Sequence, residues 1–366
     1  MALARVSRNT LREQVYESLR DEIVSGGWEV GSRLPSMKQL ADVFGTSINP
    51  VQMALERLEE EGYVVKSHGS GTYVADREST AGGASVAVCL RARAHLDSEL
   101  TMNMARELHR VGTSPIVVDI DEPASADLMT ELARSGVEIF VLKGHSHSQF
   151  GLLEKDVFQG KTVVAVIEWE GPERKDLYRV MSDHAAAGRQ VARYLWERGH
   201  RRVLLIAPGM EKIIQTAGSS SQRTGQLKAF SREWGRLGGE WAAIRSDASG
   251  VQEGELVAVE EEKLVKKLSG ENACTAIFGF RDVEAAAAQR VLLEYEPELL
   301  DRVEIMGYFD TPWSRTAHPP ITTVELRLDE VARRAAEIID RVTRSEEVAE
   351  PLQIVTPTIL TRGQDQ

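Results

Sequence analysis

Apolar residues between positions 34 and 74 recur first at helical spacing and then at strand spacing. Leu40 and Phe44 mark one face of a short helix, which Ser36 can cap and Gly45 can close in the left-handed conformation. Ser47 caps a second helix, along which Val51, Leu55 and Leu58 repeat on one side. Pro50 falls in its first turn, where backbone N–H groups have no intrahelical partner and proline is tolerated. The runs Tyr63–Lys66 and Thr72–Ala75 flank His68, Gly69, Ser70 and Gly71, a turn with two positions free to take positive φ. Upstream, Leu11, Val15, Leu19 and Ile23 line a helix from Thr10 to Ser25, stopped by Gly26 and Gly27. Three helices followed by a hairpin form the layout of a winged helix-turn-helix. There the second helix of the motif enters the DNA major groove and the wing follows the neighbouring backbone or minor groove.

From Ser85 the pattern changes to alternating strands and helices. Apolar strand runs occur at Val86–Leu90, Pro115–Val118, Val137–Leu142, Val163–Ile167, Val203–Ala207, Ala276–Phe278 and Glu304–Gly307. Amphipathic helices are predicted at Glu99–Val111, Ala124–Ser135, Ala185–Arg198, Gly225–Trp234, Glu255–Leu268 and Val283–Glu294. This alternation predicts an α/β fold of parallel sheets covered by helices. Its length favours two lobes, with a ligand crevice beyond the carboxyl ends of the strands. The expected organisation is a reader at 1–76, a polar linker at 77–84 and an α/β body at 85–366.

The 366-residue chain is 42% hydrophobic and 27% charged, ordinary for a globular protein. No apolar run approaches a membrane span and the first residues lack a signal-peptide core, so a cytoplasmic location without membrane partners is expected. Cys89 and Cys274 sit in apolar runs, as small buried hydrophobes of a reducing compartment. The net charge of −12 argues against a non-specific nucleic-acid coat. Even residues 1–76 hold eight Lys and Arg against eleven Asp and Glu, so DNA affinity must lean on few phosphate contacts and on a dimer. His145 and His147 lack the Cys or carboxylate companions of a metal site. No nucleophile elbow, Walker loop or zinc-protease helix occurs, so no enzyme, metal or cofactor is expected.

The run LPSMKQLA, then S-x-x-x-V-x-x-AL-x-x-L-x-x-EG and GSGTYV, resembles the GntR family of bacterial regulators over residues 10–76. The resemblance implies an operator with two-fold-related halves bound by a homodimer. Candidate DNA contacts are Arg8, Arg33, Ser36 and Lys38, then Ser47, Ile48, Asn49 and Gln52 at the helix tip, and Lys66, His68, Gly69 and Gly71 on the wing. Asn49 and Gln52 can bond adenine bidentately and Ile48 can touch a thymine methyl. Relatives commonly carry Arg at the positions of Lys38, Ile48 and Gln52, a departure that changes the expected operator.

SGVEIFVL, SDHAAAGRQVARYLWERGHRRVLLIA, TAIFGFRD, VEIMGYFD, PPITTVE and IVTPTILTR follow one another in the order of the LacI/GalR effector domain. That domain has the periplasmic-binding-protein fold. The resemblance covers nearly all of 85–363, and the combined architecture is similar to that of the arabinose repressors. It implies a first lobe of about 85–182 and 328–342, and a second of about 183–307 and 354–360, hinged across three crossings. It also implies a DNA-binding regulator, a repressor by analogy, controlled by a sugar or sugar derivative. The alternative is a small-molecule binding protein or enzyme with a vestigial reader. Candidate effector contacts are Arg91, Glu168, Trp169, Gln222, Arg223, Arg281, Asp282, Phe309, Asp310 and Trp313. Where relatives place Arg, Asn and Asp, this chain has Gln222, Arg281 and Phe309. The added cation at Arg281 favours an anionic effector such as a sugar acid or sugar phosphate, unless Asp282 or Asp310 pairs with it.

Overall fold

The computed structural model describes residues 11–24, 27–28, 31–60, 63–67, 71–74, 85–92, 94–121, 124–144, 151–208, 225–247 and 257–362. The chain divides into two compact units, Met1–Ala84 and Ser85–Gln366.

In the first unit, α1 (Leu11–Val24), α2 (Met37–Val43) and α3 (Ile48–Glu60) precede an antiparallel hairpin of β1 (Val64–Ser67) and β2 (Gly71–Val74). The helical periodicity of the sequence becomes one buried cluster, with Val15 and Leu19 of α1 meeting Leu40 of α2, Val51, Leu55 and Leu58 of α3, and Val64 and Val74 of the hairpin. Gly45 does take a left-handed φ of +61° after α2. A polar clamp joins α1 to α3. Arg57 bonds Glu13 at 2.8 Å and lies 3.8 Å from the Tyr16 ring centroid. Such partly exposed pairs contribute little on their own, but the stacked guanidinium fixes the α1–α3 angle. Residues 31–34 run beside the wing, with Leu34 N–H donating to Thr72 and Val74 N–H to Ser32.

The second unit is built on two mainly parallel sheets. The first contains β3 (Ser85–Leu90), β4 (Ile116–Asp119), β5 (Val137–Gly144), β6 (Thr162–Trp169), β7 (Leu177–Ser182) and β14 (Leu352–Val355), in the order β14-β7-β6-β5-β3-β4. The second contains β8 (Arg202–Ala207), β9 (Glu240–Asp247), β10 (Ala258–Val259), β11 (Ala276–Gly279) and β12 (Glu304–Met306), in the order β10-β9-β8-β11-β12, with β10 antiparallel. Helices α4 (His95–Arg110), α5 (Ser125–Arg134) and α11 (Leu328–Thr343) belong to the first lobe. Helices α6 (His184–Glu197), α7 (Gly225–Leu237), α8 (Glu261–Leu268), α9 (Asp282–Tyr295) and α10 (Pro312–Thr316) belong to the second. A ribbon of β13 (Thr323–Glu325) and β15 (Thr358–Leu360) accompanies the crossings at 182–184, 325–328 and 355–358.

The strand at 352–355 corrects the expected lobe boundary. Ile354 lies on β14, paired with Met181 of β7 in the first sheet, and only Thr358–Leu360 leaves for the ribbon. The sequence pattern also lacked β7 and β9. Of β9 only Ile244 and Ser246 are buried, so it presents no apolar run, and β7 carries Arg179 in its middle.

Candidate functional site

Each unit contributes one candidate surface. On the reader, Ser36 opens α2 with a reciprocal cap. Its hydroxyl accepts from Gln39 N–H, and the Gln39 side chain accepts from Ser36 N–H at 2.9 Å. That hydroxyl is therefore occupied by the helix end. Lys38, Ser47, Ile48, Asn49 and Gln52 are all exposed around the α2–α3 turn. The Gln52 amide donates to Glu56 at 2.9 Å, one turn along, so reaching a base edge means exchanging that exposed bond. Gly71 has φ +126°, and a Cβ there would lie 2.6 Å from Arg33 Nε. The glycine thus brings the Arg33 guanidinium against the wing, grouping a cation with the hairpin. Lys66 is on β1, with its side chain outside the described residues, as are Arg8, His68 and Gly69.

The second surface is formed where strands of both lobes end. In the first lobe, Asp97 in the first turn of α4 is fully buried and accepts from Lys143 at 2.6 Å and from Arg91 at 3.2 Å. Lys143 belongs to the end of β5 and is itself buried. Glu168 is buried at the end of β6, immediately after Ile167, whose φ of +66° is a rare conformation for a β-branched residue. The pairing of β5 with β6 shifts register over this stretch, so the kink re-aims the strand end that carries Glu168 and Trp169. The Trp169 ring covers Gly144, where a Cβ would sit 2.4 Å from it.

Across the hinge, buried His184 opens α6, with Nδ1 sharing a 2.8 Å hydrogen bond with the Tyr308 hydroxyl. Burial lowers its pKa and keeps it neutral. Glu168 and Asp183 pull the other way, and Lys143 reinforces the lowering. Phe309, at φ +98°, packs edge-on to Tyr308 with ring centroids 4.7 Å apart. Gln226, the second residue of α7, is buried, and it follows Gly225, whose Cβ position lies 3.5 Å from His184 Cβ. The constellation of Arg91, Asp97, Lys143, Glu168 and His184 therefore spans both lobes. Arg91 and Glu168 were visible in the sequence. Asp97, Lys143, His184 and Gln226 were not, although a charged residue closing an apolar run, as Lys143 does in VEIFVLK, was an available signal.

The remaining sequence candidates are committed elsewhere. Asp282 accepts from Thr311 N–H at 2.6 Å and from the Thr311 and Thr323 hydroxyls, and burial raises its pKa to about 6 against those hydrogen bonds. Asp310 accepts from Arg315 at 2.9 Å and from Arg362, tying the chain end to the second lobe. Trp313 packs on Val257, Val283 and Ala287 rather than standing free. Arg281 pairs with Glu284 at 2.6 Å, a partner in the next turn of its own helix. This removes the premise for an anionic effector, since the cation is neutralised by neither Asp282 nor Asp310 but by a third carboxylate. Gln222 and Arg223 lie outside the described residues.

Comparison with known proteins defines the class to which this geometry belongs. Residues 11–74 match the model of bacterial regulatory proteins of the gntR family, and residues 192–364 match the periplasmic binding protein-like domain. The chain joins a GntR-type DNA-binding domain to a periplasmic-binding-protein-like domain, and it is a transcriptional regulator. Among relatives, the regulator DegA of Bacillus subtilis is 24% identical over 268 residues, covering 72% of this chain and 75% of that protein. Among solved structures, a LacI-family regulatory protein of Chloroflexus aggregans superposes with a TM-score of 0.60 at 20% identity, over 78% of this chain and 99% of that one. The regulator CelR in complex with cellobiose superposes with a TM-score of 0.59 at 17% identity, over 90% and 99%. Among the described residues, no helix is long and apolar enough to cross a membrane.

Proposed function

We propose that this regulator represses transcription from a two-fold-related operator and that an uncharged sugar in the inter-lobe crevice controls its grip on DNA. The observation that carries the effector class is the balance of charge at the strand ends. Two cations, Arg91 and Lys143, face the carboxylates Asp97 and Glu168 around a neutral His184, with Asp183 acting on the same ring. Such a set offers donors and acceptors to hydroxyls without leaving an excess cation for an anionic ligand to neutralise. Phe309 and Trp169 add aromatic surface beside it. The cellobiose complex of CelR, on the same fold, supports the reading. Thermal-shift measurements with matched pairs, a neutral sugar against its acid and its phosphate, test it. The neutral member at one hundred times its dissociation constant is expected to stabilise the protein by about 2.7 kcal/mol. Stabilisation by the charged members alone refutes the assignment.

On the DNA side, Asn49→Ala and Gln52→Ala are each expected to cost about 1–3 kcal/mol on the specific operator and little on random DNA. Lys66→Ala is expected to weaken both and to flatten the salt dependence. Gel shifts against the promoter of the chain's own operon at two salt concentrations measure this. Equal losses on both DNAs would make Asn49 and Gln52 positioning contacts instead. A dimer is the expected binding unit, because an acidic reader holding few cations gains affinity by engaging two half-sites. The apolar side chains of Met102, Ile116 and Val117, exposed on α4 and the edge strand β4, give the first lobe a surface for such pairing. Sedimentation at micromolar concentration should give twice the chain mass, and a monomer both free and on DNA sinks the proposal.

A further inference from the structure

At the opposite edge of the first sheet from Arg91, a cavity of about 530 Å³ lies over β7 and β14 and ends at the hinge. Its apolar wall is made by Trp169, Met181, Leu352 and Ile354. Met181 and Ile354 are direct partners in the β14–β7 register and share a face of the sheet, where Leu352 and Ile354 remain about half exposed. Of the polar residues lining it, three hold a buried atom with no hydrogen-bond partner among the described residues: Arg179 Nε, Ser182 Oγ and His184 Nε2. Ser182 and His184 are both more than nine-tenths buried. A buried polar atom left without a hydrogen bond is costly, so three around one cavity call for a guest that supplies the missing bonds.

The three atoms specify the guest's head. Arg179 Nε can only donate, Ser182 Oγ can do either, and His184 Nε2 takes the role opposite to the one Nδ1 plays toward Tyr308. A hydroxyl oxygen, which both accepts and donates, serves all of these. Charge narrows the class further. Arg179 is already paired with Glu173, and Asp183, which also lines the cavity, caps Ala186 N–H at 2.7 Å. The lining therefore carries one cation and two carboxylates, an arrangement that repels an anion. We propose that this cavity is a second small-molecule site, for an uncharged amphiphile with an apolar ring or chain and an alcohol or phenol head. It adjoins the charged crevice of the proposed sugar effector, sharing Trp169 and His184 with it, and extends from there over the β7–β14 edge. Because Trp169 and Met181 come from the first lobe and His184 and Gly225 from the second, its occupant would bear on the hinge itself.

The test uses the full chain labelled with ¹³C at its methionine methyls, with the Met181 signal assigned by Met181→Leu. The probes are 3-phenylpropan-1-ol and its acid, 3-phenylpropanoate. The alcohol is expected to move the Met181 signal saturably, with the acid at least tenfold weaker. Ile354→Trp, at a half-exposed position, should fill the cavity and abolish the shift while the other methionine signals keep their positions. Ser182→Ala should weaken the alcohol about five- to tenfold. A Met181 signal unmoved by the alcohol, acid binding as strong as the alcohol's, or a shift that survives Ile354→Trp would each overturn the proposal.

Discussion

Asp97→Ala is expected to lose about 3–5 kcal/mol of stability, because it strands the buried Lys143 ammonium without its partner. Asp97 is fully buried and accepts from Lys143 at 2.6 Å, and its other oxygen accepts from Arg91. Removing the carboxylate leaves a charge that the surrounding β3 and β5 strands cannot solvate. For a body of this size the loss corresponds to a fall in melting temperature of about 5–15 °C. The double variant Asp97→Ala, Lys143→Met should recover most of it, since a buried ion pair and a well-packed apolar replacement are often of similar stability. Differential scanning calorimetry on the two variants decides the matter. If the single variant melts with the parent, water reaches Lys143 and the pair is not buried in solution. The double variant should also fail to respond to the crevice ligand, which separates the pair's structural part from its binding part.

Gly188→Ala is the second large loss. Gly188 lies within α6, where a Cβ would be 2.0 Å from the Gln226 carbonyl oxygen and 2.9 Å from Phe230 N. Both obstacles are backbone of α7, which cannot rotate aside as a side chain can. Over-packing ordinarily costs about 1–3 kcal/mol, and an obstacle of this kind places the expected loss at the top of that range. Gly235→Ala supplies the contrast within α7, since nothing lies within 4 Å of its Cβ position. There the gain in helix propensity should stabilise the protein by about 0.5–1 kcal/mol. Denaturant titration of both variants, with unchanged slopes, measures the difference. Gains of similar size at both positions would mean that propensity, and not the α6–α7 approach, governs these glycines.

The reader was legible because its signals are local. Ser36, Gly45 and the Val51, Leu55 and Leu58 repeat act within a turn or two of themselves, and the structure places each in its expected role. The parallel sheets were legible where strands are buried on both faces, as β5 and β6 are, and illegible where only one face is covered. Thus β9 gives no apolar signal, and β14, with Leu352 and Ile354 half exposed, reads as part of the second lobe although it pairs with β7 of the first. The crevice was harder still, since its members come from five separate strand or helix ends. Arg281 illustrates the limit. Its charge was evident, but its neutralisation by Glu284 depends on Arg281 being the cap residue of α9, a fact of backbone geometry. The same holds for Lys143, whose meaning rests on Asp97, distant in sequence.

The membership of β14 in the first sheet bears on how the protein is made. The first five strands of that sheet are complete once residue 182 is synthesised, yet the strand that covers β7 begins only at Leu352. At ribosomal speeds of 5–20 residues per second, roughly ten to thirty seconds separate the two events. Throughout that interval β7 is a bare edge whose backbone groups can pair with any extended chain, including the same segment on a neighbouring polysome. The second lobe is almost wholly encoded inside this interval and can fold while the first waits. Nascent chains of this regulator should therefore be held by chaperones at the first lobe, and a premature stop just before Leu352 should yield aggregate in place of a shortened sensor.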